Sequence, residues 1–261
     1  MACAHAQVNF LFSSWEALPQ SSSLLFSVSM EILPNNYQLE IPDGCFPLST
    51  DSMVLSHFVR LPKNARVLDL GSGCGTLGLL LLCSRDAGCA VTGIERDETA
   101  HAAALANICR NSLENRLESL LADIQEAPQR LTPGSFDVCL SNPPYFSGGP
   151  AAKLTAARRE DFCPVSALMK AAGWALKYGG DFYLVHRPER LGELIAAGAA
   201  VGLEAKRLGL VRHRPGDPVS LILLGLRKGG KPGLIWEEWI LREADGSPTP
   251  LYREIYHLGG F

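Results

Sequence analysis

Short apolar runs alternate with helical patterns from residue 66 to residue 226, and this alternation constrains the fold more than any other feature of the chain. The predicted strands are, in chain order, Arg66–Leu70, Ala90–Glu95, Glu118–Ala122, Phe136–Ser141, Asp181–His186 and Val219–Leu226. The predicted helices are Thr76–Cys83, Glu98–Asn111, Val165–Leu176 and Glu189–Ala200. Strands that alternate with helices form a mostly parallel sheet with helices on both faces. We therefore predict an α/β fold with a doubly wound, mostly parallel, seven-stranded sheet, of which these six strands are identified.

Three segments are expected along the chain. Residues 30–231 form the predicted sheet domain, which ends in the breaker cluster Gly229–Gly233. Residues 232–261 contain too few apolar side chains for a core of their own, so we expect a tail that packs on the main domain. Residues 1–29 are rich in Ser and Ala without a steady period, and we expect them to lie outside the domain, with Met30 as an alternative start.

Composition narrows the class of protein. The eight cysteines include no C-x-x-C pair, so we expect neither a disulfide framework nor a zinc site, and a reducing cytoplasm fits best. No apolar run reaches the roughly 18 to 20 residues that a membrane span needs. The six histidines show no metal-ligand spacing. We expect a cytoplasmic monomer without a bound metal.

The net charge of −3 is unevenly distributed. Residues 151–231 carry 14 Lys and Arg against 7 Asp and Glu, and the rest of the chain is acidic. A basic face permits contact with the phosphates of a nucleic acid. An imbalance of this size is also compatible with ordinary surface variation, so charge alone leaves nucleic-acid binding open.

A glycine loop follows the first predicted strand and contains Gly71, Gly73 and Gly75. Glycines let the backbone turn tightly and let a ligand approach the main chain. The dinucleotide fingerprint G-x-G-x-x-G would need a glycine at Thr76, and the G-K-[ST] of a phosphate-binding loop is absent from the chain. These mismatches weaken a nicotinamide or nucleoside-triphosphate interpretation.

An acidic residue closes each of three successive predicted strands. Asp69 is placed to take the ammonium group of a cofactor, a charge that a nicotinamide dinucleotide lacks at this place. Glu95 is placed to accept from ribose hydroxyls, and Asp123 from an adenine amino group. A lone acid at such a place is usually a helix cap. Three in this order, with the glycine loop after the first, predict S-adenosyl-L-methionine as the cofactor.

The tetrapeptide Asn142-Pro143-Pro144-Tyr145 follows the predicted strand Phe136–Ser141, at the sheet edge where ligands bind. The side-chain oxygen of Asn142 and the carbonyl of Pro143 can accept both hydrogens of a planar amino group and direct its lone pair at a methyl donor. The two prolines stiffen the loop. A rigid turn over a packed aromatic is the alternative for the tetrapeptide taken alone.

An aromatic ring in this loop can stack on a flat substrate, as an unstacked base requires. Tyr145 and Phe146 are the candidates. We therefore predict Asn142, Pro143 and Tyr145 as the catalytic residues, with Asn142 also a cofactor contact. The predicted reaction needs no general base, metal or covalent intermediate.

The chain resembles the bacterial tRNA adenine-N6 methyltransferases that modify the adenine following the anticodon of valine tRNA. The resemblance covers roughly residues 30–261. The segments that carry it are Pro42-Asp43-Gly44 with Phe46, Thr50-Asp51, Asp69–Gly75, Asn142–Phe146, Ala157–Glu160, Val185–Leu191 and Lys228–Leu234. The segments Val185–Leu191 and Lys228–Leu234 are the narrowest of these, whereas Asp69–Gly75 and the Asn142 loop are common to many amino-methyltransferases.

The resemblance implies a class I, Rossmann-like methyltransferase fold, S-adenosyl-L-methionine as cofactor and tRNA as partner. It implies cofactor contacts at Thr50 and Asp51, although Pro47–Asp51 departs from the family's usual glycine-then-acid form. It also implies a set of candidate phosphate contacts: Arg158, Arg159, Arg187, Arg190, Arg212 and Arg214.

Three alternatives stay open at this point. A release-factor methyltransferase uses the same loop on a glutamine carboxamide, but that family carries an extra N-terminal helical domain, and the residues before the predicted sheet lack helical periodicity. An rRNA guanine methyltransferase is a further possibility. The third is a cofactor-binding RNA protein without activity, against which the intact Asp69, Asn142 and Pro143 argue.

Overall fold

The computed structural model describes residues 28–84, 88–143 and 164–257. The strands are β1 Val28–Ile32, β2 Gln38–Pro42, β3 Arg66–Leu70, β4 Ala90–Glu95, β5 Leu117–Leu121, β6 Phe136–Ser141, β7 Leu176–His186, β8 Leu203–Arg212, β9 Leu221–Lys228 and β10 Ile235–Ile240. The α-helices are α1 Thr50–Phe58, α2 Thr76–Ser84, α3 Glu98–Arg110, α4 Ala127–Arg130, α5 Val165–Ala175, α6 Leu191–Ala199 and α7 Pro250–Ile255. Short 3-10 turns lie at Pro34–Asn36, Ile124–Glu126 and Pro188–Arg190.

Eight strands form the central sheet, in the order β10-β8-β9-β7-β6-β3-β4-β5. Strand β9 runs antiparallel to both of its neighbours, and every other pair in the sheet is parallel. The predicted α/β fold with a mostly parallel sheet is confirmed. The predicted count of seven strands is wrong, because β8 joins the six strands identified from the sequence and β10 adds an eighth at the edge beside β8.

Strand β10 comes from the segment that the sequence assigns to the tail. Its side chains are mostly exposed, so it lacks the apolar run that marks a buried strand. Two acids attach it to β8: Glu237 lies 2.7 Å from Arg207, and Glu238 lies 3.4 Å from Arg212. Backbone pairing, these ion pairs and one buried side chain, Trp239, whose ring centroid lies 5.7 Å from that of Phe58, hold this edge strand.

The two faces of the sheet carry separate apolar clusters. On β3, Val67 packs with α1, α2 and α3, whereas Leu68 and Leu70 pack on the opposite face with α5 and α6. This alternation follows from the two-residue period of a strand. It also decides where Asp69 lies, because a side chain at this position shares the face of Val67.

A two-stranded hairpin, β1–β2, lies outside the main sheet. It begins at Val28, so the expected boundary after residue 29 falls inside β1, and residues 1–27 lie outside the described part. Asn107 in α3 and Asn111, which caps the C-terminus of α3, hold the hairpin through their side chains. Asn107 and Asn111 each bond both the N–H and the carbonyl of one β2 residue, Glu40 and Gln38 respectively.

Helix α7 packs on the same face as the hairpin, next to α1. Ile255 is buried there, and Tyr252 and Tyr256 stack with their ring centroids 4.2 Å apart. The tail of the sequence is therefore part of the folded body up to residue 257. Within the described ranges, none of the helices is long and apolar enough to cross a membrane.

Candidate active site

A cleft of about 360 Å³ opens at the carboxyl ends of β3, β4 and β6. Its walls are the glycine loop, the ends of β4 and β5, the residues after β6, and the segment Gly44–Phe46 after β2. Small-molecule sites have volumes of roughly 300 to 1,000 Å³ and lie at this edge of open α/β sheets. Both position and size therefore suit a small cofactor.

The backbone conformation of the glycine loop favours glycine at three positions. Gly71, Gly73 and Gly75 have φ values of +77°, +55° and +82°, a region that other residues rarely adopt. A Cβ atom at Gly71 or Gly73 would meet no atom within 4 Å, so both positions face open space. These two glycines line the cleft, and Gly75 does not.

Glu95 closes β4 and ties the glycine loop in place. Its Oε2 accepts from the N–H of Gly73 at 2.8 Å, while its Oε1 accepts from the N–H groups of Arg96 and Asp97, both at 2.8 Å. The carboxylate lines the cleft. Since an ionised carboxylate offers about four acceptor sites, one remains for a ligand hydroxyl.

Asp123 lies on the cleft wall at the end of β5. Its Oδ1 accepts from the N–H of Gln125 at 2.8 Å, and its Oδ2 lies 3.5 Å from Arg96. It therefore caps the following 3-10 turn, as the alternative interpretation expects, and also places a carboxylate at the cleft.

Asp69 lies behind the glycine loop rather than on the cleft wall. It is 1% exposed and lines a separate cavity of about 10 Å³ with Ser72 and Gly75. Neither carboxylate oxygen has a hydrogen-bond partner among the described residues. Burial, and secondarily the charge of Glu95, raises the pKa of Asp69 to about 8. Its contact with a cofactor ammonium stays a prediction.

Asn142 follows β6 and lines the cleft together with Pro143. Its Nδ2 donates to Oγ of Ser52 in α1 at 3.1 Å. Its Oδ1 is buried and has no hydrogen-bond partner among the described residues. An acceptor in this state costs about 1 to 3 kcal/mol, which a ligand N–H would recover.

The upstream motif contributes different residues from those expected. Thr50 accepts a hydrogen bond from Tyr256, and neither Thr50 nor Asp51 lines the cleft. Ser52, one residue further, does line it, as does Phe46, which is 48% exposed. The sequence analysis predicts no helix over these residues. Because α1 begins at Thr50, Ser52 lies in its first turn and lines the cleft.

Two cysteines missed by sequence reasoning also line the cleft. Burial raises the pKa of Cys45, and burial together with Cys45 raises the pKa of Cys74 to about 12. Both thiols therefore stay protonated at neutral pH, and neither has the character of a nucleophile. The six described cysteines are free.

The four predicted phosphate contacts that fall within the described ranges lie at the cleft-bearing edge of the sheet but do not line the cleft. Arg187 donates to the carbonyl of Ser220 at 3.3 Å. Arg190 pairs with Glu193 at 2.5 Å, and Arg212 bonds the carbonyl of Asp217 and pairs with Glu238. Arg214, by contrast, is exposed.

Several predicted site residues fall outside the described ranges: Tyr145, Phe146, Arg158 and Arg159. Their contacts stay predictions. Within the described part, no group of three or more His, Cys, Asp and Glu side chains is arranged to hold a metal ion.

Comparison with known sequences finds methyltransferases as relatives of this chain. A protein-family model described as "Methyltransferase small domain" matches residues 49–194, a range that includes both the glycine loop and Asn142. The chain is 31% identical over 196 residues to a tRNA1(Val) (adenine(37)-N6)-methyltransferase of Photobacterium profundum, covering 72% of this chain and 81% of the relative. It is also 31% identical over 215 residues to the protein of that name from Tolumonas auensis, covering 80% and 87%.

Solved structures show the same fold. A predicted O-methyltransferase from Agrobacterium tumefaciens superimposes with a TM-score of 0.68 and 22% identity, covering 80% of this chain and 96% of that one. A methyltransferase from Pyrococcus furiosus gives a TM-score of 0.53 and 21% identity, covering 74% and 89%.

Proposed function

Because this chain belongs to the methyltransferase small domain family and, within it, to the tRNA1(Val) (adenine(37)-N6)-methyltransferases, we propose that it methylates the N6 amino group of an adenine in tRNA. S-adenosyl-L-methionine is the cofactor. It supplies an electrophilic methyl group when bound. The anticodon-loop adenine of valine tRNA is the proposed target, and a cytoplasmic setting follows from that substrate.

The cleft fits this cofactor. Gly71 and Gly73 leave open space above the loop, and the carboxylates of Glu95 and Asp123 lie on the wall where ribose hydroxyls and an adenine amino group need acceptors. Apolar walls from Leu70 and Ile94 complete a surface for a flat base. Asp69, buried behind the loop, stays a predicted contact of the cofactor's ammonium group.

The amine end requires two hydrogen-bond acceptors. The lone pair of an adenine amino group is conjugated with the ring, so this nitrogen is a poor nucleophile unless the protein orients it. In our proposal, Asn142 Oδ1 and the Pro143 carbonyl accept its two hydrogens, which raises electron density on nitrogen and directs the lone pair at the methyl carbon. The nitrogen would gain the methyl group as the methyl–sulfur bond breaks, the sulfonium would leave as the neutral thioether, S-adenosyl-L-homocysteine, and the nitrogen would release one proton to water.

The buried Oδ1 of Asn142, which has no hydrogen-bond partner within the described ranges, is the observation that carries this assignment. The remaining polar end of the same side chain is already bonded to Ser52, so the oxygen is the end available to a substrate. Donors are the only groups that such an oxygen can bind. A substrate with a planar –NH₂ group satisfies this requirement.

A glutamine carboxamide also presents a planar –NH₂ group, and the acceptors of Asn142 and Pro143 do not by themselves distinguish it from an adenine amino group. The curated relatives favour tRNA over a release factor, since the matches at 31% identity are named for adenine in tRNA. The exposed Arg214 at the same sheet edge supports contact with phosphate.

Substitution of Asn142 tests the proposal. We expect Asn142→Ala to lose at least about a hundredfold in kcat on unmodified tRNA, because the group acts on the reacting amine. Cofactor affinity, measured by calorimetry, should stay within about threefold. Unchanged methylation by this variant would remove Asn142 from the mechanism.

A further inference from the structure

Resting on the proposed function, we propose that Ser52 is a positioning residue: its hydroxyl holds the carboxamide of Asn142 in the orientation that recognises the substrate amine. The two residues are 90 positions apart in the sequence, and they meet through one hydrogen bond from Asn142 Nδ2 to Ser52 Oγ of 3.1 Å.

Ser52 is well placed for this role. It lies in the first turn of α1, is 3% exposed and lines the cleft. Ser141, the last residue of β6 and the one before Asn142, donates to the carbonyl of Leu70 at 2.7 Å and fixes the backbone there. The backbone of Asn142 is therefore held from β3, and its side chain is held from α1.

The orientation of the Asn142 carboxamide must be fixed because its two ends have opposite hydrogen-bonding roles. The oxygen accepts hydrogen bonds, and the –NH₂ end donates them. The terminal torsion of an Asn side chain is broad and roughly two-fold, so packing alone leaves it poorly fixed. A carboxamide turned by half a rotation would set its own –NH₂ against the –NH₂ of the substrate. Ser52 binds the donor end and leaves Oδ1 for the amine.

Helix α1 does not depend on the Ser52 hydroxyl. Phe58 and Leu55 of the same helix are buried in the core at 1% and 0% exposure, and Thr50 is bonded to α7 through Tyr256. Removal of one hydroxyl should leave this anchoring intact. An effect of Ser52→Ala on turnover would then report on Asn142 rather than on folding.

Ser56 provides a matched control. It lies one turn further along α1, is 8% exposed, and its Oγ donates to the carbonyl of Met53 at 2.8 Å. Ser56→Ala removes the same group from the same helix without touching the Asn142 contact. We expect Ser52→Ala to lower kcat about tenfold, with the melting temperature and the cofactor Kd unchanged, and Ser56→Ala to keep the wild-type kcat.

A double-mutant cycle isolates the pair. If Ser52 acts through Asn142, then adding Ser52→Ala to the Asn142→Ala variant changes kcat less than twofold. An equal tenfold loss in both backgrounds would overturn the inference, as would a wild-type kcat for Ser52→Ala alone.

A readout without turnover keeps this inference separate from the proposed function. The side-chain –NH₂ signals of Asn142 in a ¹⁵N-correlated NMR spectrum are assigned by their loss in Asn142→Ala. We expect Ser52→Ala to shift or broaden them and Ser56→Ala to leave them in place. Unmoved signals in Ser52→Ala would overturn the inference, whereas a wild-type protein that leaves tRNA unmethylated would overturn only the proposed function.

Discussion

The hydroxyl of Tyr256 donates a 3.0 Å hydrogen bond to Oγ1 of Thr50, and this bond joins α7 to the first turn of α1 across 206 positions of sequence. Burial raises the pKa of Tyr256, so the hydroxyl keeps its proton at neutral pH. The same turn of α1 carries Ser52, which bonds Asn142. The end of the chain therefore supports the helix that borders the cleft.

Tyr256→Phe should lower stability. The change removes one half-buried hydrogen bond but keeps the ring that stacks on Tyr252, so we expect a loss of about 0.5 to 1.5 kcal/mol. At about 2 to 4 °C per kcal/mol for a chain of this size, the melting temperature should fall by a few degrees. Tyr178→Phe is the control, since its ring is 83% exposed and water can replace its bond to Gly229. Equal melting temperatures for all three proteins would contradict the expectation.

Asp69 should make stability depend on pH. Its pKa is about 8 in the folded protein against 3.8 for an ordinary aspartate, with burial as the first cause and Glu95 as the second. Between these two values the folded state keeps a proton that the unfolded state releases, so stability falls as pH rises. The contribution is complete below about pH 4 and is lost as pH rises through 8.

Asp69→Asn removes this titration. The melting temperature of the variant minus that of the wild type should therefore increase from pH 5 to pH 8, because an amide carries no charge to desolvate. Thermal unfolding at several pH values in one buffer series measures it. A difference that stays constant with pH would show that Asp69 does not titrate in this range.

Glu95 should govern cofactor affinity. Glu95→Gln keeps the shape of the side chain but replaces one acceptor oxygen with a donor, which weakens the tie to Gly73 and the site for a ribose hydroxyl. We expect the Kd for S-adenosyl-L-methionine to rise about tenfold, as calorimetry can show. Glu98→Gln, exposed in the first turn of α3, should bind as the wild type does. Matching affinities for the two variants would refute a role for Glu95.

Arg214 should contribute to the electrostatic part of tRNA binding. Its side chain is exposed at the cleft-bearing edge, and one phosphate contact changes the slope of log K against log salt by about one. We expect Arg214→Ala to reduce that slope by about this amount. Lys63→Ala, in the loop before β3 at the opposite edge, should leave it unchanged. Parallel salt dependences for both variants would exclude Arg214 from the interface.

The parts of the fold that the sequence predicts are those with apolar periodicity. The strands β3, β4 and β6 are predicted with their observed bounds, because each is a short, buried apolar run. Strand β8 was missed since charged side chains interrupt its apolar residues, and β10 because it is mostly exposed. Exposed edge strands depend on pairing with a neighbour, which no local pattern reveals.

The same limit applies to the site. Glu95, Asp123 and Asn142 are found on the cleft wall because parallel strands bring their carboxyl ends to one edge. Asp69 does not lie on the cleft wall. Its side chain points to the same face of β3 as the buried Val67, which places it behind the glycine loop. The contact between Ser52 and Asn142 depends on how α1 packs against the sheet, which residue spacing cannot show.

The most direct test of the account is the identity of the methylated nucleoside. Purified protein is incubated with methyl-labelled S-adenosyl-L-methionine and unmodified total tRNA, the RNA is digested, and the labelled nucleoside is identified by mass. The account predicts label in N6-methyladenosine, and its loss with the Asn142→Ala variant. Absence of label from every nucleoside, with cofactor binding confirmed by calorimetry, would contradict it.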